Sequence, residues 1–531
     1  MNLIKLFRKR REPLNRSLTQ DVFHEYPKKQ SDEHKEPIYP SLLESGNRLK
    51  DIFSGCQDFI FLPWHYGANL QYSAMAVYCL SLVQEKKVNY FKTIMQDLVP
   101  HCVGPAANVT PEDVFNYFEN HGASSETAHI IGDLDTAVRD ILGGNVVVLF
   151  DQWDKALSFK AITIQERQVM ENLTEPVVRG PHESTVENLM KNIGLLRNRL
   201  KTPDFKLNFL TAGGKSQSEI AYGYIEGAVN PETLAEFQKR IMQVKEMEIL
   251  ETSYIEELLE DSRYTPFPQV RITERPDTAV AALLDGKIFV MVSGSPSILI
   301  CPGLFMEFMQ SPEDYYQRTV FSSMIRLLRF TSFSLTVVLP AIYIALTTFH
   351  PELIPTVLLL TILNTREGIP FPALLEALIM NFFLEILTEA GVRLPRPVGS
   401  AVSIVGALVI GQAAIDAGIA SPAMVVVVSL TAIANFALPQ YNFSLTVRLL
   451  RIPLMLLASI LGVFGLMIGF LWIMLHLMSL RSLGQPYMAP IGPTRPRQFR
   501  DVFVRMPMDI LLRSPRNRQR HYSSALTKEE G

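Results

Sequence analysis

The pattern of hydrophobic and polar positions along this chain changes near residue 325. Before that point apolar and charged residues are mixed over short stretches, as is typical of a folded, water-soluble region. After it, Thr331–Leu480 carries only 11 charged residues. Long apolar runs predict membrane helices, because about 20 apolar residues in a helix cross the hydrocarbon core of a bilayer. The sequence therefore predicts an integral membrane protein with a large soluble first half.

The soluble half contains an internal repeat. Asp135–Phe150 reads DTAVRDILGGNVVVLF and Asp277–Val292 reads DTAVAALLDGKIFVMV, with matching residues at a constant offset of 142. Each block reads as a helix, a glycine turn and a strand buried on both faces. Upstream, Tyr78–Gln96 resembles Tyr224–Gln243 at nearly the same offset. The predicted fold class is thus an α/β soluble region of two related subdomains, followed by an all-α polytopic membrane domain.

The composition of the chain suggests six consecutive parts. They are a basic, flexible N-terminal segment (1–50), a first α/β cytoplasmic subdomain (51–170), a linker (171–204), a second α/β cytoplasmic subdomain (205–315), the membrane domain (316–482) and a basic cytoplasmic tail (483–531).

A helix is predicted in the linker from Ser184, whose hydroxyl would cap it, because Leu189, Ile193 and Leu196 follow at helical spacing. Its basic residues suit lipid headgroups or an acidic partner, and they equally suit a solvated helix between two domains.

Charge is concentrated at the two ends of the chain. Met1–Arg16 has six basic residues against Glu12, and residues 481–531 have nine Arg and Lys528 against four acids. Basic ends beside a membrane domain indicate the cytoplasmic side, which implies an even number of crossings. The basic N-terminal residues are followed by polar residues and not by the apolar stretch of a signal peptide, so no signal peptide is predicted. The tail shows no regular alternation of basic and aromatic residues, and a nucleic-acid partner is not expected.

Several catalytic motifs begin but are not completed. Gly214-Lys215-Ser216 resembles the end of a phosphate-binding loop, but Phe209 stands where its first glycine is required. His182-Glu183 would start a zinc-protease motif, and Val186 replaces its second histidine. The four cysteines lie far apart, which gives neither a disulfide framework nor a zinc site. We therefore expect no enzyme, no metal and no cofactor.

The membrane half divides into four to six segments. Phe330–Phe349 is a clean span, whereas Ile354–Leu363 is too short to cross and reads as re-entrant or interfacial. Phe371–Ala390 follows as an apolar segment that carries acidic residues. Further segments are predicted at Gly399–Asp416, Ser421–Leu438 and Pro453–Leu480.

One segment carries polar residues on a single face. Asn381, Glu385 and Glu389 are spaced by four residues, so a helix places them on one face. Glu376 lies on another face of that helix. A carboxylate in hydrocarbon costs several kcal/mol, so such residues face a water-filled cavity or a partner. They are candidates for a cation pathway. An interfacial amphipathic helix, with Arg393 neutralising Glu389, or a buried subunit contact is the alternative.

Three blocks of residues are more specific than the motif fragments above. The first two blocks consist of Glu175, Pro176, Arg179, Gly180, Pro181, His182 and Glu183, and of Thr273, Glu274, Arg275, Pro276 and Asp277. The third is Glu313-Asp314-Tyr315-Tyr316, immediately before the membrane half. With these blocks the chain resembles the GerA family of spore germination proteins, specifically the A-type subunit of nutrient germinant receptors. The likeness runs from about Ser54 to Pro493.

This resemblance implies a location, partners and an activity. Such subunits lie in the inner membrane of the spore, with a B-type multispanning subunit and a C-type lipoprotein as partners. They are expected to form homo-oligomers, plausibly pentamers, that act as ligand-gated cation channels. A ring of glutamates from the Asn381 face would select cations.

Two other functions stay open on the sequence. The first is a paralogue of the same family that amplifies germination alongside the dipicolinate channel. The second is a stand-alone secondary transporter, which predicts inverted repeats among the spans, and none is evident.

Overall fold

The structure is a computed structural model, and it describes residues 36–66, 70, 72–98, 110–119, 128–162, 175, 177–393, 406, 409–494, 499 and 501–507. The chain forms two compact units. The first comprises Ile60–Cys79 and Val83–Ile162 together with the chain up to Ile52. The second comprises Phe53–Phe59, Leu80–Leu82 and everything from Thr163 onward.

The first unit is built on a five-stranded antiparallel sheet with strand order β1-β2-β4-β5-β3. Its elements are α1 (Leu42–Ile52), β1 (Phe59–Tyr66), β2 (Tyr72–Cys79), α2 (Glu85–Thr93) continued by a π-helical turn (Ile94–Leu98), α3 (Pro111–Glu119), β3 (Ala128–Ile131), α4 (Leu134–Leu142), β4 (Asn145–Phe150) and β5 (Ala156–Lys160). Asp133 caps α4 by accepting from the Thr136 amide at 2.7 Å. Gly144, at φ +86°, makes the turn into β4.

The second unit repeats this arrangement with strand order β6-β7-β9-β10-β8. Its elements are α5 (Leu189–Arg199), β6 (Phe205–Ala212), β7 (Ser218–Ile225), α6 (Pro231–Ile241) continued by a 3₁₀ turn (Met242–Glu246), α7 (Thr252–Leu259), β8 (Arg271–Thr273), α8 (Pro276–Leu284), β9 (Ile288–Val292) and β10 (Ile298–Cys301). The matching strand order confirms the predicted pair of related α/β subdomains. Every residue of β9 is buried, as its apolar run predicted.

The prediction that the linker helix begins at Ser184 is wrong, because α5 begins at Leu189. Asn188 is the cap, and its side chain accepts from the Lys191 amide at 3.0 Å. Ser184 is buried, and the Thr185 amide donates instead to the Glu274 carbonyl at 2.8 Å. The segment before Asn188 is thus held by the sheet region and cannot join the helix.

The linker helix, α5, exposes fewer basic residues than its sequence indicated, because Arg197 is buried. Its guanidinium binds the Asp58 carboxylate through Nε at 2.8 Å and Nη2 at 2.9 Å. It also lies over the rings of Phe59 and Phe205, at 5.0 and 4.5 Å from their centroids. Arg197 therefore contributes to the core and not to a surface for lipid.

The helical region follows the second sheet within the same unit. Its elements are α9 (Phe305–Phe308), α10 (Glu313–Tyr316), α11 (Thr319–Thr348), a 3₁₀ turn (Pro351–Leu353), α12 (Thr356–Arg366), α13 (Ala373–Arg393), α14 (Pro422–Phe436), α15 (Tyr441–Ser479) and the short strands β11 (Arg481–Ser482) and β12 (Gln485–Pro486). In the described part of the chain, α11 and α15 are the helices long and apolar enough to cross a membrane. Half of the segment predicted at Gly399–Asp416 lies outside the described residues, and its described residues, 406 and 409–416, are helical.

Helix α15 is a hairpin and not one straight helix. Gly462 has φ +61° and ψ −141°, which interrupts the helix. A Cβ atom on Gly469 would lie 2.5 Å from Leu454 Cδ2, although 15 residues of straight helix span about 22 Å. The two arms, 441–461 and 463–479, therefore run antiparallel. This replaces the single segment predicted over Pro453–Leu480.

Candidate functional site

A set of buried and half-buried polar residues joins the second sheet to the helical region, and most of it comes from the sequence blocks singled out above. We call it the junction cluster. It consists of Glu175, Arg275, Asp277, Thr273, Tyr316 and Gln440.

The core of the junction cluster is an ion pair at the start of α8. Arg275 binds Asp277 through Nε at 3.2 Å and Nη2 at 2.9 Å, with both side chains buried. Asp277 lies in the first turn of α8, where the helix dipole favours a carboxylate. The hydroxyl of Tyr316 also donates a hydrogen bond to Asp277. The pair thus anchors the residues that lead into α11.

The neutral form of Tyr316 is the one that this contact requires. Burial, followed by the hydrogen bond to Asp277, raises the pKa of Tyr316 to about 12. The phenol therefore stays protonated at neutral pH and remains a donor to the carboxylate.

Glu175 connects three parts of the chain. Its Oε2 accepts from Thr273 Oγ1 at 2.6 Å, at the end of β8. Its Oε1 accepts from Gln440 Nε2 at 2.6 Å, and Gln440 is the residue that immediately precedes α15. Arg275 Nη2 also holds the linker, by donating to the Pro181 carbonyl at 3.0 Å. The linker is therefore fastened both to the sheet and to the start of the last helix pair.

The close approach of the linker to Tyr316 requires a glycine. Gly180 has φ +137°, a conformation that residues with side chains rarely adopt. A Cβ atom at this position would lie 2.7 Å from the Tyr316 ring.

The remaining residues of the two blocks lie around the cluster. Glu183 forms a surface ion pair with Arg199 at 2.8 Å, and the side chains of Arg179 and His182 are exposed. Pro276 is buried at the start of α8. Pro176 lies outside the described residues. The sequence blocks thus include both the cluster and its surroundings, and only the structure separates the two.

A second polar network lies at the base of α11 and includes Asp314 and Tyr315 of the third sequence block, for which no role was predicted. Asp314 accepts from Arg326 Nε at 2.9 Å and Arg329 Nη1 at 2.8 Å. Arg326 also binds Asp501 at 2.8 Å, and Tyr315 donates to Asp501 at 2.6 Å. The signal available in the sequence was two arginines one helical turn apart at the edge of an apolar run.

Both ends of the α15 hairpin contact one loop of the sheet region. Thr446 Oγ1 donates to the Pro266 carbonyl, and His476 Nε2 lies 2.8 Å from Thr265 Oγ1. Phe267, between these contacts, is buried among the helices. Two residues of α15 that are 30 positions apart therefore lie at the same level, so this loop reaches both arms of the hairpin.

The three residues predicted to share a face do lie on α13, in different surroundings. Asn381 is buried and donates to the Ala377 carbonyl at 2.8 Å. Glu385 forms an ion pair with Arg448 of α15 at 2.6 Å, and half of its side chain is exposed. Glu389 pairs with Arg393 at 2.6 Å on an exposed surface.

Glu376, on another face of α13, is fully buried. One of its oxygens accepts from the Ser421 amide at 2.6 Å, at the N-terminus of α14. Arg366 Nε lies 3.8 Å from the other oxygen. This carboxylate therefore ties α13 to α14 and is enclosed by protein.

The incomplete phosphate loop is filled by a side chain of the protein. The amides of Gly214, Lys215 and Ser216 donate to the Glu248 carboxylate at 3.1, 3.0 and 2.8 Å. Hydrogen bonds, the largest from the Ser216 side chain, lower the pKa of Glu248 to about 2. No group of metal-ligating side chains occurs among the described residues.

Comparison with known proteins gives a family and named relatives. A family model described as Bacillus/Clostridium GerA spore germination protein matches residues 47–517. The chain is 38% identical to the uncharacterized membrane protein YfkQ of Bacillus subtilis, over 92% of this chain and 93% of that protein. It is 44% identical to spore germination protein KA of the same organism, over 70% of this chain and 69% of that protein.

Further similarity extends to another relative and to a solved structure. Spore germination protein A1 of Bacillus subtilis is 39% identical over 70% of this chain and 77% of its own length. The crystal structure of the N-terminal domain of the A subunit of the Bacillus megaterium spore germinant receptor GerK3 is 23% identical. It matches with a TM-score of 0.40, over 51% of this chain and 98% of that domain.

Proposed function

The chain belongs to the GerA family of Bacillus/Clostridium spore germination proteins, and on this premise we propose that it is an A-type subunit of a nutrient germinant receptor. We propose further that several copies form a ligand-gated cation channel in the inner membrane of the spore. A B-type multispanning subunit would supply the nutrient site, and a C-type lipoprotein would complete the receptor.

The observation that carries this proposal is the junction cluster. Glu175 and Asp277 bind the residues that precede α15 and α11, which are the two long apolar helices. A change in the sheet region would therefore act directly on both helices through hydrogen bonds to partly buried carboxylates. Such bonds are directional and costly to break, which suits coupling between a receptor surface and a membrane gate.

The ion path is proposed to run along α13, with Asn381, Glu385 and Glu389 as its candidate residues. Glu385 is both half-exposed and bound to Arg448, so it can meet an ion only when that pair loosens. A gate would then hold Glu385 on Arg448 in the resting state and release it from Arg448 in the conducting state.

Potassium release from spores after nutrient addition tests this function. Wild type, a deletion and Glu385→Gln at matched protein level are compared. Loss of the response to a particular nutrient on deletion is expected, together with altered or leaky release in Glu385→Gln. A deletion that merely slows release to every nutrient contradicts the receptor role and favours the amplifying paralogue. An unchanged Glu385→Gln contradicts the proposed ion path.

A further inference from the structure

The contact between α13 and the first arm of α15 contains a buried arginine with an unsatisfied donor. Arg451 is 3% exposed, and its Nε has no hydrogen-bond acceptor among the described residues. One helical turn earlier, Arg448 has Glu385 as its partner at 2.6 Å. A buried guanidinium without a partner is costly, so an arrangement that pairs Arg451 gains free energy there and loses it at Arg448.

An unsatisfied acceptor lies in the same contact. Asn381, one turn before Glu385 on α13, donates to Met455 Sδ at 3.6 Å, while its Oδ1 has no donor among the described residues. Glu385–Arg448 and Asn381–Met455 are two levels of one antiparallel contact. Arg451 lies between these levels on α15. The unpaired guanidinium and the unpaired amide oxygen thus belong to neighbouring turns.

We propose that Arg451 is a second partner for Glu385, and that the gate moves by exchanging Arg448 for Arg451. This inference rests on the proposed channel function. Arg448 and Arg451 are three residues apart, so the exchange requires a shift of about 4.5 Å along α15. One-turn shifts between packed helices are an established form of switching. The exposed half of Glu385 leaves room for the carboxylate to move.

The two pairings are close to equal in free energy, because each gives one arginine a carboxylate partner and leaves the other arginine without one. A modest free energy is then enough to move the equilibrium from one pairing to the other. The junction cluster is placed to supply that free energy. Gln440 lies eight residues before Arg448, about 12 Å along the helix, and is held by Glu175.

Two matched substitutions separate the two pairings by opposite effects. Arg448→Met removes the present partner and leaves only Arg451, so potassium release without nutrient is expected to rise several-fold. Arg451→Met removes the alternative partner, so the response to nutrient is expected to be lost or delayed several-fold. Arg48→Met, which opens the ion pair between Arg48 and Glu36 at α1, where no ion-path residue lies, is the control and is expected to behave as wild type. Effects of the same sign in both test variants overturn the exchange.

A crosslinking measurement reads the helix contact without reference to ion flow. Cysteines replacing Asn381 and Met455 in the full chain are treated in membranes with a short bifunctional thiol reagent. The crosslink between positions 381 and 455 is expected to form when Arg448 and Arg451 are both present. Its yield should be retained in Arg451→Met and reduced in Arg448→Met. An equal yield in these three proteins overturns the exchange. If deletion leaves every nutrient response intact, the receptor function fails, and this measurement still decides whether the contact has two registers.

Discussion

Gln440 Nε2 donates a hydrogen bond to Glu175 Oε1 across 2.6 Å, although the two residues are 265 positions apart in the chain. The acceptor is a carboxylate that also accepts from Thr273, in the sheet. A single side chain of the linker therefore connects the end of a strand to the start of a membrane helix.

Replacing Gln440 by Met is expected to weaken this connection. The substitution keeps the length of the side chain and removes the donor, at a cost of roughly 1.5–3 kcal/mol for a hydrogen bond to a charged group. A delayed potassium release at unchanged protein level is the expected result. Gln485→Met is the control, because Gln485 donates to a neutral hydroxyl, Thr233 Oγ1, at 3.0 Å. Equal delays in the two variants would show that the effect is not specific to Glu175.

Gly180→Ala is expected to destabilise the junction cluster. The added Cβ would lie 2.7 Å from the Tyr316 ring, and the backbone at φ +137° disfavours any side chain. We expect a loss of about 2–4 kcal/mol, from backbone strain together with overpacking. Thermal unfolding of the purified full chain measures it. In the background of Tyr316→Ala, which has no ring to clash with, Gly180→Ala should cost only the part due to backbone strain, and no cost there would mean that the backbone is unstrained.

The hairpin in α15 is tested by a disulfide across its arms. Cysteines replacing Leu454 and Gly469 are expected to link on mild oxidation, because the antiparallel arms bring these positions into contact. Mass spectrometry of the digested protein identifies the linked peptides. The control pairs Leu454→Cys with Trp472→Cys, since Trp472 is 61% exposed. A straight helix would hold positions 454 and 469 about 22 Å apart and would give no link.

The sequence was sufficient for the repeat but not for the hairpin or the cluster. The apolar runs of β4 and β9 and their glycine turns are local signals, and both sheets follow from them. The interruption at Gly462 carries no local signal, because glycine is common within apolar helices. Likewise, Glu175 and Gln440 meet only through tertiary folding, and periodicity along the chain does not reveal such contacts.

The buried pair of Asp58 and Arg197 is expected to be a large contributor to stability. Both side chains are fully buried, with two hydrogen bonds between them. Asp58→Asn leaves the guanidinium without a counter-charge and should cost about 3–5 kcal/mol in the free energy of unfolding. The double variant Asp58→Leu with Arg197→Met removes both charges and should recover much of that loss. If the double variant lost as much free energy of unfolding as the two single variants together, the two residues would act independently.

The stability of the second sheet is expected to fall as pH rises from about 4.5 to about 7, because of Glu256 on α7. Burial, followed by the charges of Glu260 and Glu251, raises the pKa of Glu256 to about 7 from its ordinary value of 4.5. A raised carboxyl pKa means that the folded state holds the proton more tightly. Its stabilising effect is therefore complete below pH 4.5 and is lost between pH 4.5 and 7.

Glu256→Gln should remove this dependence, because the amide stays neutral at every pH. Thermal unfolding of the full chain between pH 5 and 8 is the measurement. At pH 8 the free energy of unfolding of the variant should exceed that of wild type by about 1–2 kcal/mol, a value that allows for screening by solvent. Glu257→Gln, which changes the next and exposed residue of α7, is the control and should leave the slope unchanged. A wild-type slope that persists in Glu256→Gln would assign the titration to another group.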